Sequence, residues 1–428
     1  MVGLLATAFL VLLVIGVPIA FSMGIGSFLA LAFYMPNATM TIAAKMFGGL
    51  DSFSLMAIPY FLLAGNLMEA AGISKQLVEF AELLVGKIKG GLAMAAVVSG
   101  VILAGVSGSN AADTSAIGSI MIPALKKKGY EDSWSCALIS TTGILGPIIP
   151  PSILAILYST ATGLSVGALF IAGIIPGIIL AVGLLYFCYS YAKRNNLQNS
   201  TADKRSRKEV LQILLVALPA LVMPGIIIGG ILTGFFTATE SASVACIYAI
   251  LYGVLSKRLT AKNLWHALRE AVKTACKLML IISVASLFGW IFSVTGFPAK
   301  VVATLTGITS SKYIILLLIV VLLLLIGCFM ETIAALTILV PVLNPVAAAY
   351  GISNIQFAMF FIVTLLIGAI TPPVGVNLYI TSGIAGIRFA DTLKYLPKFI
   401  ILSTVVAVLV ALVPGITTWL PGLLGFTV

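Results

Sequence analysis

The stretch LLIGAITPPVG (residues 365–375) places a glycine, a threonine and two successive prolines in the middle of a long apolar run. A helix crossing a bilayer needs about 20 mostly apolar residues. Hydrocarbon cannot hydrate bare backbone, so a helix interruption at membrane depth persists only where it is buried in protein or lines a polar cavity. Pro372 and Pro373 lack backbone donors and stop a continuing helix, while proline suits the first turn of a new one. The expected form is a half-helix ending near Gly368, an extended link over Ala369, Ile370 and Thr371, and a second half-helix starting at the prolines. Carbonyls at the end of the first half suit a cation, and amides at the start of the second suit an anion.

The surrounding composition supports this setting. The chain has 428 residues, 61% hydrophobic and 9% charged, with a mean hydropathy of +1.19, which excludes a soluble globular protein. About ten apolar stretches separated by short polar loops point to a polytopic all-α membrane protein; outer-membrane barrels, whose strands alternate, are excluded. The five cysteines have no paired spacing and His266 is the single histidine, so neither a disulfide framework nor a Cys/His metal centre is indicated. The apolar N-terminus lacks a basic leader and reads as a first span.

The opening feature has an echo. GILGPIIPPS (143–152) matches LIGAITPPVG (366–375), with Gly146, Pro150 and Pro151 falling on Gly368, Pro372 and Pro373. Other landmarks recur: Gly65 and Gly72 against Gly289 and Gly296, Pro123 against Pro341, and Pro176 against Pro397. Each half reads as two spans joined by a tight turn (Gly16 to Pro18, Gly234 to Phe236), a third span, an amphipathic helix, a hairpin, a broken span and a final span. Five crossings per half is an odd number, so the second repeat is inverted relative to the first, an arrangement found in secondary transporters. If the linker at 193–210 is cytoplasmic, only Lys45, Lys300 and Lys312 of the 24 basic residues lie on the opposite face. The net charge of +11 is therefore a topology signal, nucleic acid is not needed to explain it, and both termini are expected on the periplasmic side. The helices at 74–89 and 258–277 carry charges on one face and apolar residues on the other, and read as braces in the headgroup plane.

Facing the two breaks are two segments read as re-entrant hairpins, LAGVSGSNAADTSAIG (103–118) and LLIGCFMETIAALTILVP (324–341), the second turning at Gly327 to Thr332. Only 13 residues are acidic, and Asp113, Glu240 and Glu331 fall within apolar segments; an ionisable group there is a functional candidate. Glu331, at a hairpin tip, reads as a substrate contact, directly or through an ion. Asp113 reads either as a site residue or as a cap of the second hairpin helix, and Glu240 as a scaffold group pairing with backbone donors. There is no nucleophile elbow, Walker loop or paired intramembrane aspartate, so no enzyme is expected. Coupling energy is expected from an ion gradient.

GVPIAF (16–21), IPYFLLAGNLM (58–68), GVSGSNAADTSAIGSIMIPALKKKGY (105–130), GPIIPPS (146–152), FTATESASVA (236–245) and ITPPVGVNLYITSGIAG (370–386) together resemble the large membrane subunit of tripartite ATP-independent periplasmic (TRAP) transporters over the whole chain. The resemblance implies an elevator-type, sodium-coupled importer of an organic acid anion, sialic acid or C4-dicarboxylate, in the bacterial inner membrane. Its partners would be a small four-helix membrane subunit and a periplasmic substrate-binding protein, and Na+ its coupling ion. Carried onto this chain, one sodium site would use Ser107, Ser109 or Asn110 with Gly146, Ile149 and Pro150, and a second Gly327, Gly368, Thr371 and Val374. Substrate contacts are expected from Asn110, Ser152, Glu331, Thr332, Pro372 and Asn377, since the expected cavity lacks basic residues and leaves recognition to hydroxyls, amides and helix N-termini. Family members often have Asp at Glu331 and Pro at Ala238. The implied division is scaffold 1–89, transport half 90–192, cytoplasmic linker 193–209, scaffold 210–309 and transport half 310–428. A single-component sodium/carboxylate transporter or ion exchanger of related inverted-repeat fold is the alternative. Proline or a bulky residue at Gly368 is expected to weaken sodium dependence before it weakens folding.

Overall fold

The computed structural model describes residues 1–197 and 206–427. The linker expected at 193–209 lies partly outside these. The first half contains α1 (Val2–Val14), α2 (Ile19–Tyr34), α3 (Ile42–Gly48), α4 (Ala57–Ala70) and α5 (Ile73–Val85). It continues through α6 (Gly91–Ser107), α7 (Asn110–Lys127), α8 (Asp132–Gly143), α9 (Ile153–Thr162) and α10 (Val166–Arg194). The second half contains α11 (Arg207–Leu232), α12 (Ala238–Leu255), α13 (Ala261–Val294) and α14 (Phe297–Ile308). It ends with α15 (Lys312–Phe329), α16 (Thr332–Ala349), α17 (Asn354–Ile367), α18 (Val376–Ala385), α19 (Phe389–Thr392), α20 (Leu396–Leu412) and α21 (Gly415–Leu423). Among the described residues, seven helices are long and apolar enough to cross a membrane, or eight if the pair α20 and α21, bent by 61°, counts as one span. Shorter apolar helices of 10–17 residues account for the remaining apolar stretches read from the sequence.

Element boundaries recur at one spacing. Phe329, Thr332 and Asn354 each stand 222 residues after Ser107, Asn110 and Asp132, which bound the matching helices of the first half. The same spacing sets Pro123 of α7 against Pro345 of α16, so the match with Pro341 suggested by sequence is displaced by one helical turn. Pro176 and Pro397 also differ in role: Pro176 lies inside the 29-residue α10, whereas Pro397 sits in the first turn of α20.

Two packed bodies position the site. In one, α4 lies against α12 and α13, tied by hydrogen bonds from Thr239 Oγ1 to Phe53 O (2.9 Å) and from Cys246 Sγ to Tyr60 O (3.0 Å). Beside it Phe9, Met23, Leu31 and Phe288 form a smaller apolar cluster joining α1 and α2 to α13. In the other, α17 is buried all round, from Ile355 through Ile367. Large apolar side chains on α10, α11 and α15, such as Tyr186, Leu215 and Leu325, face outward, as lipid contact requires. The second half-helix of each break crosses to the other half of the chain: α9 packs on α16 and α17, and α18 packs on α7 and α8.

Two expected braces come out differently. Helix α5 stops at Val85, with Ile73, Leu77, Val78 and Ala81 buried. The amphipathic stretch 258–277 is not a separate helix: from Ala261 it runs without interruption into the following span, giving the 34 residues of α13. No glycine or proline stands between Ala261 and Leu287 to end it.

Candidate ion and substrate site

Each hairpin tip is built from a helix stop and a helix start two residues apart. Helix α6 ends because Gly108 adopts the left-handed conformation (φ 62°), which glycine accepts without a Cβ penalty. Ser109 then turns extended, and its Oγ accepts from Ala112 N at 3.5 Å to cap α7. At the second tip Met330 and Glu331 are extended. The Glu331 carboxylate accepts from Ile333 N and Ala334 N, both at 3.1 Å, and caps α16. Helix α15 persists to Phe329, so the turn falls at Met330 and Glu331 rather than across Gly327 to Thr332. Gly100 and Ile117, each seven residues from the first tip, face one another, so α6 and α7 run back along each other, whereas α15 packs mainly on α17 and α20 rather than on α16.

The breaks lie against these tips. Helix α17 ends at Ile367, as expected, but a 3-10 turn follows over Gly368–Ile370. Thr371 is extended, its N–H donating to Gly368 O at 3.0 Å and its Oγ1 to Ile367 O at 2.7 Å. The prolines do not begin the second half-helix; they lie in the link, and α18 starts at Val376 after Gly375. In the first half α9 starts at Ile153, capped by Ser152 Oγ, which accepts from Ala155 N at 3.1 Å and donates to Pro147 O. The Pro150–Pro151 and Pro372–Pro373 peptide bonds are both cis. Gly327 rests directly on Gly368, where a Cβ would collide with the Gly327 carbonyl, and Val374 N donates to Cys328 O at 3.2 Å. Gly108 packs against the Pro151 carbonyl, and Gly143 against the Asn110 carbonyl.

The residues read from sequence therefore separate into groups. Ser107, Ser109, Asn110, Gly146 and Pro150 gather at the first tip and break, and Gly327, Gly368, Thr371 and Val374 at the second. Ile149 turns its side chain toward Gly177 of α10, so only its backbone faces the break. Ser152 is buried as a cap. Asn377 is fully buried, its Nδ2 donating to Ser140 O at 3.0 Å; that amide ties α18 to α8, alongside a Ser140–Thr381 hydroxyl pair at 2.8 Å. Thr332 is buried in the first turn of α16, while Pro372 is half-buried in the link. Glu331 caps α16 through Oε2, which accepts both amides, while the residue stays exposed at the tip. Glu240 behaves as expected of a scaffold group, forming a capping box with Thr237 at the start of α12. Asp113 does not cap α7, because Ser109 does. Instead the Ser107 hydroxyl donates to the Asp113 carboxylate across the tip.

Sequence reading missed Asn66 and Glu69 of α4. With Ser74 and Thr274 they face Ser107, Ser109 and Asp113 across a cavity of about 230 Å³ between the two bodies. The available signal was a carboxylate near the end of the otherwise apolar α4. A second cavity, of about 440 Å³, lies between Asp51, Ser52 and Ser286 on one side and Thr160, Thr337 and Pro341 on the other. Among the described residues no group of three or more His, Cys, Asp or Glu forms a metal cluster. The oxygens at the tips are hydroxyl, carboxylate and carbonyl, a donor set that suits a hard cation.

Helix breaks seated against the turns between α6 and α7 and between α15 and α16, inside an all-helical apolar bundle, are features of a polytopic membrane transporter. The family model for the DctM component of the tripartite ATP-independent periplasmic transporters matches residues 6–416, and the chain belongs to that family. It is 37% identical to the sialic acid TRAP transporter large permease protein SiaM of Vibrio cholerae, covering 96% of each chain. It is 35% identical to the C4-dicarboxylate TRAP transporter large permease protein DctM of Pseudomonas aeruginosa, covering 95% of each. It is also 35% identical to the isethionate TRAP transporter permease protein DctMQ of Oleidesulfovibrio alaskensis, where 97% of this chain spans 65% of that longer protein. In fold it is similar to the YdaH transporter of Alcanivorax borkumensis, with a TM-score of 0.66 and 16% identity over 90% of each chain.

Proposed function

We propose that this chain is the large membrane subunit of a sodium-coupled tripartite importer that moves an organic acid anion across the bacterial inner membrane. The substrate is of the sialic acid or C4-dicarboxylate class, delivered by a periplasmic binding protein, and a small four-helix membrane subunit completes the assembly. The observation that carries the reading is the seating of both hairpin tips on both helix breaks, Gly108 on Pro151 and Gly327 on Gly368. The recurrence of element boundaries at a spacing of 222 residues supports an internal repeat, and five crossings per half, as read from the sequence, would make it inverted. Hydroxyl and carbonyl oxygens at each junction would hold Na+, and closing a tip on its break would couple the ion to the substrate. Residues 90–192 and 310–428 would move as the transport body against a scaffold of 1–89 and 210–309, carrying the site past it in an elevator motion, with both termini periplasmic.

The α18 N-terminus, left without a side-chain cap, offers amides to a substrate carboxylate. Uptake of labelled sialic acid and of labelled succinate by reconstituted vesicles tests this reading. Transport is expected only with the binding protein and the small subunit present, and for one of the two acids. Transport by the chain alone would favour a single-component carrier instead.

A further inference from the structure

We infer that a cavity of about 420 Å³, where the end of α10 meets the start of α20, holds the headgroup of an anionic phospholipid. Its polar lining includes Ser190, Arg194 and Lys398, and its apolar lining Trp134, Phe187 and Phe399. Trp134 stacks on Tyr191 with 4.2 Å between ring centres, Phe187 meets Phe399 edge-on at 5.5 Å, and Tyr191 meets Tyr395 edge-on at 5.8 Å. Aromatic rings with a polar edge gather at the headgroup level of a bilayer.

Among the described residues the positive charge here is unanswered. Arg194 and Lys398 are exposed and form no ion pair with them, and no acidic side chain lines the cavity. Glu131, which accepts from Tyr395, is already matched by Lys394. The Ser190 hydroxyl makes no hydrogen bond to a described residue. A guanidinium, an ammonium and a hydroxyl, all able to donate, suit the oxygens of a phosphate.

The faces leading to the cavity fit the rest of a lipid. On α10, Ile178, Val182, Tyr186, Ser190 and Arg194 follow at intervals of four and so share one face; the first three are exposed. On α20, Lys398 shares a face with the exposed Ile401 and Val405. Gly183 lets Leu402 rest against α10, where a Cβ would collide with it, so the two faces lie side by side. Hydrocarbon, then ring, then hydroxyl, then guanidinium is the order in which a phospholipid runs from acyl chain to phosphate. Basic pockets between spans take anionic headgroups. A choline head would bring a further positive charge to the same two cations and is disfavoured.

Native mass spectrometry of the full chain, delipidated in detergent and titrated with phosphatidylglycerol or with phosphatidylcholine of the same acyl chains, tests this. Phosphatidylglycerol is expected to bind more tightly, at a saturable site. Each basic residue at an anionic headgroup is worth about fivefold in affinity, so Arg194→Gln with Lys398→Gln is expected to weaken that site by roughly tenfold or more. The matched loss of two exposed charges on α13, Lys262→Gln with Arg269→Gln, is expected to leave it in place. Equal binding of the two lipids, or equal loss in the two double variants, would overturn the assignment. Glycerol phosphate at the same concentration is expected not to displace the lipid. Displacement by it would mean a site for a soluble phosphate, and loss of lipid binding when the small membrane subunit is present would mean a subunit contact; either overturns the proposal. If the Arg194 and Lys398 variant does not fold, a photoreactive phosphatidylglycerol on the unaltered chain decides. Peptide mapping is expected to place its cross-links on α10 and α20, and their absence there would overturn the proposal.

Discussion

At Gly368 the backbone of one helix break touches the backbone of the opposing tip, so even alanine at this position places its Cβ against the Gly327 carbonyl. Interiors packed this closely give little, and such overpacking costs about 1–3 kcal/mol. Gly368→Ala is therefore expected to lower thermal stability in detergent and to weaken sodium dependence of uptake together. This replaces the expectation from sequence, in which sodium dependence fails first; a variant with unchanged melting and impaired sodium dependence would restore it. The glycine was legible in the sequence because of its duplicate at Gly146. What it touches was not, because an approach of two backbones leaves no mark in residue type beyond the glycines themselves. The same limit applies to Glu331 and Asp113. Sequence marked both as carboxylates in apolar segments, but only hydrogen-bond geometry assigns one to two amides and leaves the other with an unpaired oxygen.

Among the elements, the clearest departure from the sequence reading is α13, where an amphipathic stretch and an apolar span are one helix. Lys277→Pro at that junction removes an internal hydrogen bond and clashes with the preceding turn, a cost of about 3 kcal/mol or more. Reduced yield and a lowered melting temperature are expected; wild-type melting would mean that the two parts are independent helices. Hydrophobic patterning had identified both parts, but a change from amphipathic to uniformly apolar resembles a boundary, and only the absence of a cap or breaker shows that the helix continues. Lys394 Nζ and Tyr395 OH both donate to the Glu131 carboxylate, at 2.7 and 2.8 Å, linking the start of α8 to the approach to α20. The Lys394 bond, aided by Tyr395, holds the Glu131 carboxyl below its ordinary range. Its stabilisation is therefore present above the unfolded value of about 4.3 and lost as pH falls through the lower folded value. The pair is about half exposed, 60% and 45%, so the effect is at most about 1 kcal/mol. Melting curves from pH 7 to pH 3 are expected to show the wild-type advantage over Glu131→Gln shrinking below about pH 4; parallel curves would contradict the linkage.

For the whole molecule, sequence reading reached the all-helical membrane class, the family and the matched breaks. It did so because apolar runs and paired prolines are direct marks of bilayer depth and helix ends. It overstated the number of long helices, since α1, α2, α6 and α17 fall short of a full span, and it could not see that α9 and α18 each pack on the opposite half of the chain. That exchange ties the two halves of the chain together, with Asn377 of α18 held by Ser140 of α8 and Tyr158 of α9 by Asn344 of α16 at 3.0 Å. The central claim is that ions held where tips meet breaks drive the substrate across. Its most direct test is uptake by vesicles containing all three components under an imposed inward sodium gradient. Accumulation of the organic acid above equilibrium is expected, abolished when potassium replaces sodium. Equal accumulation under either cation would contradict the account.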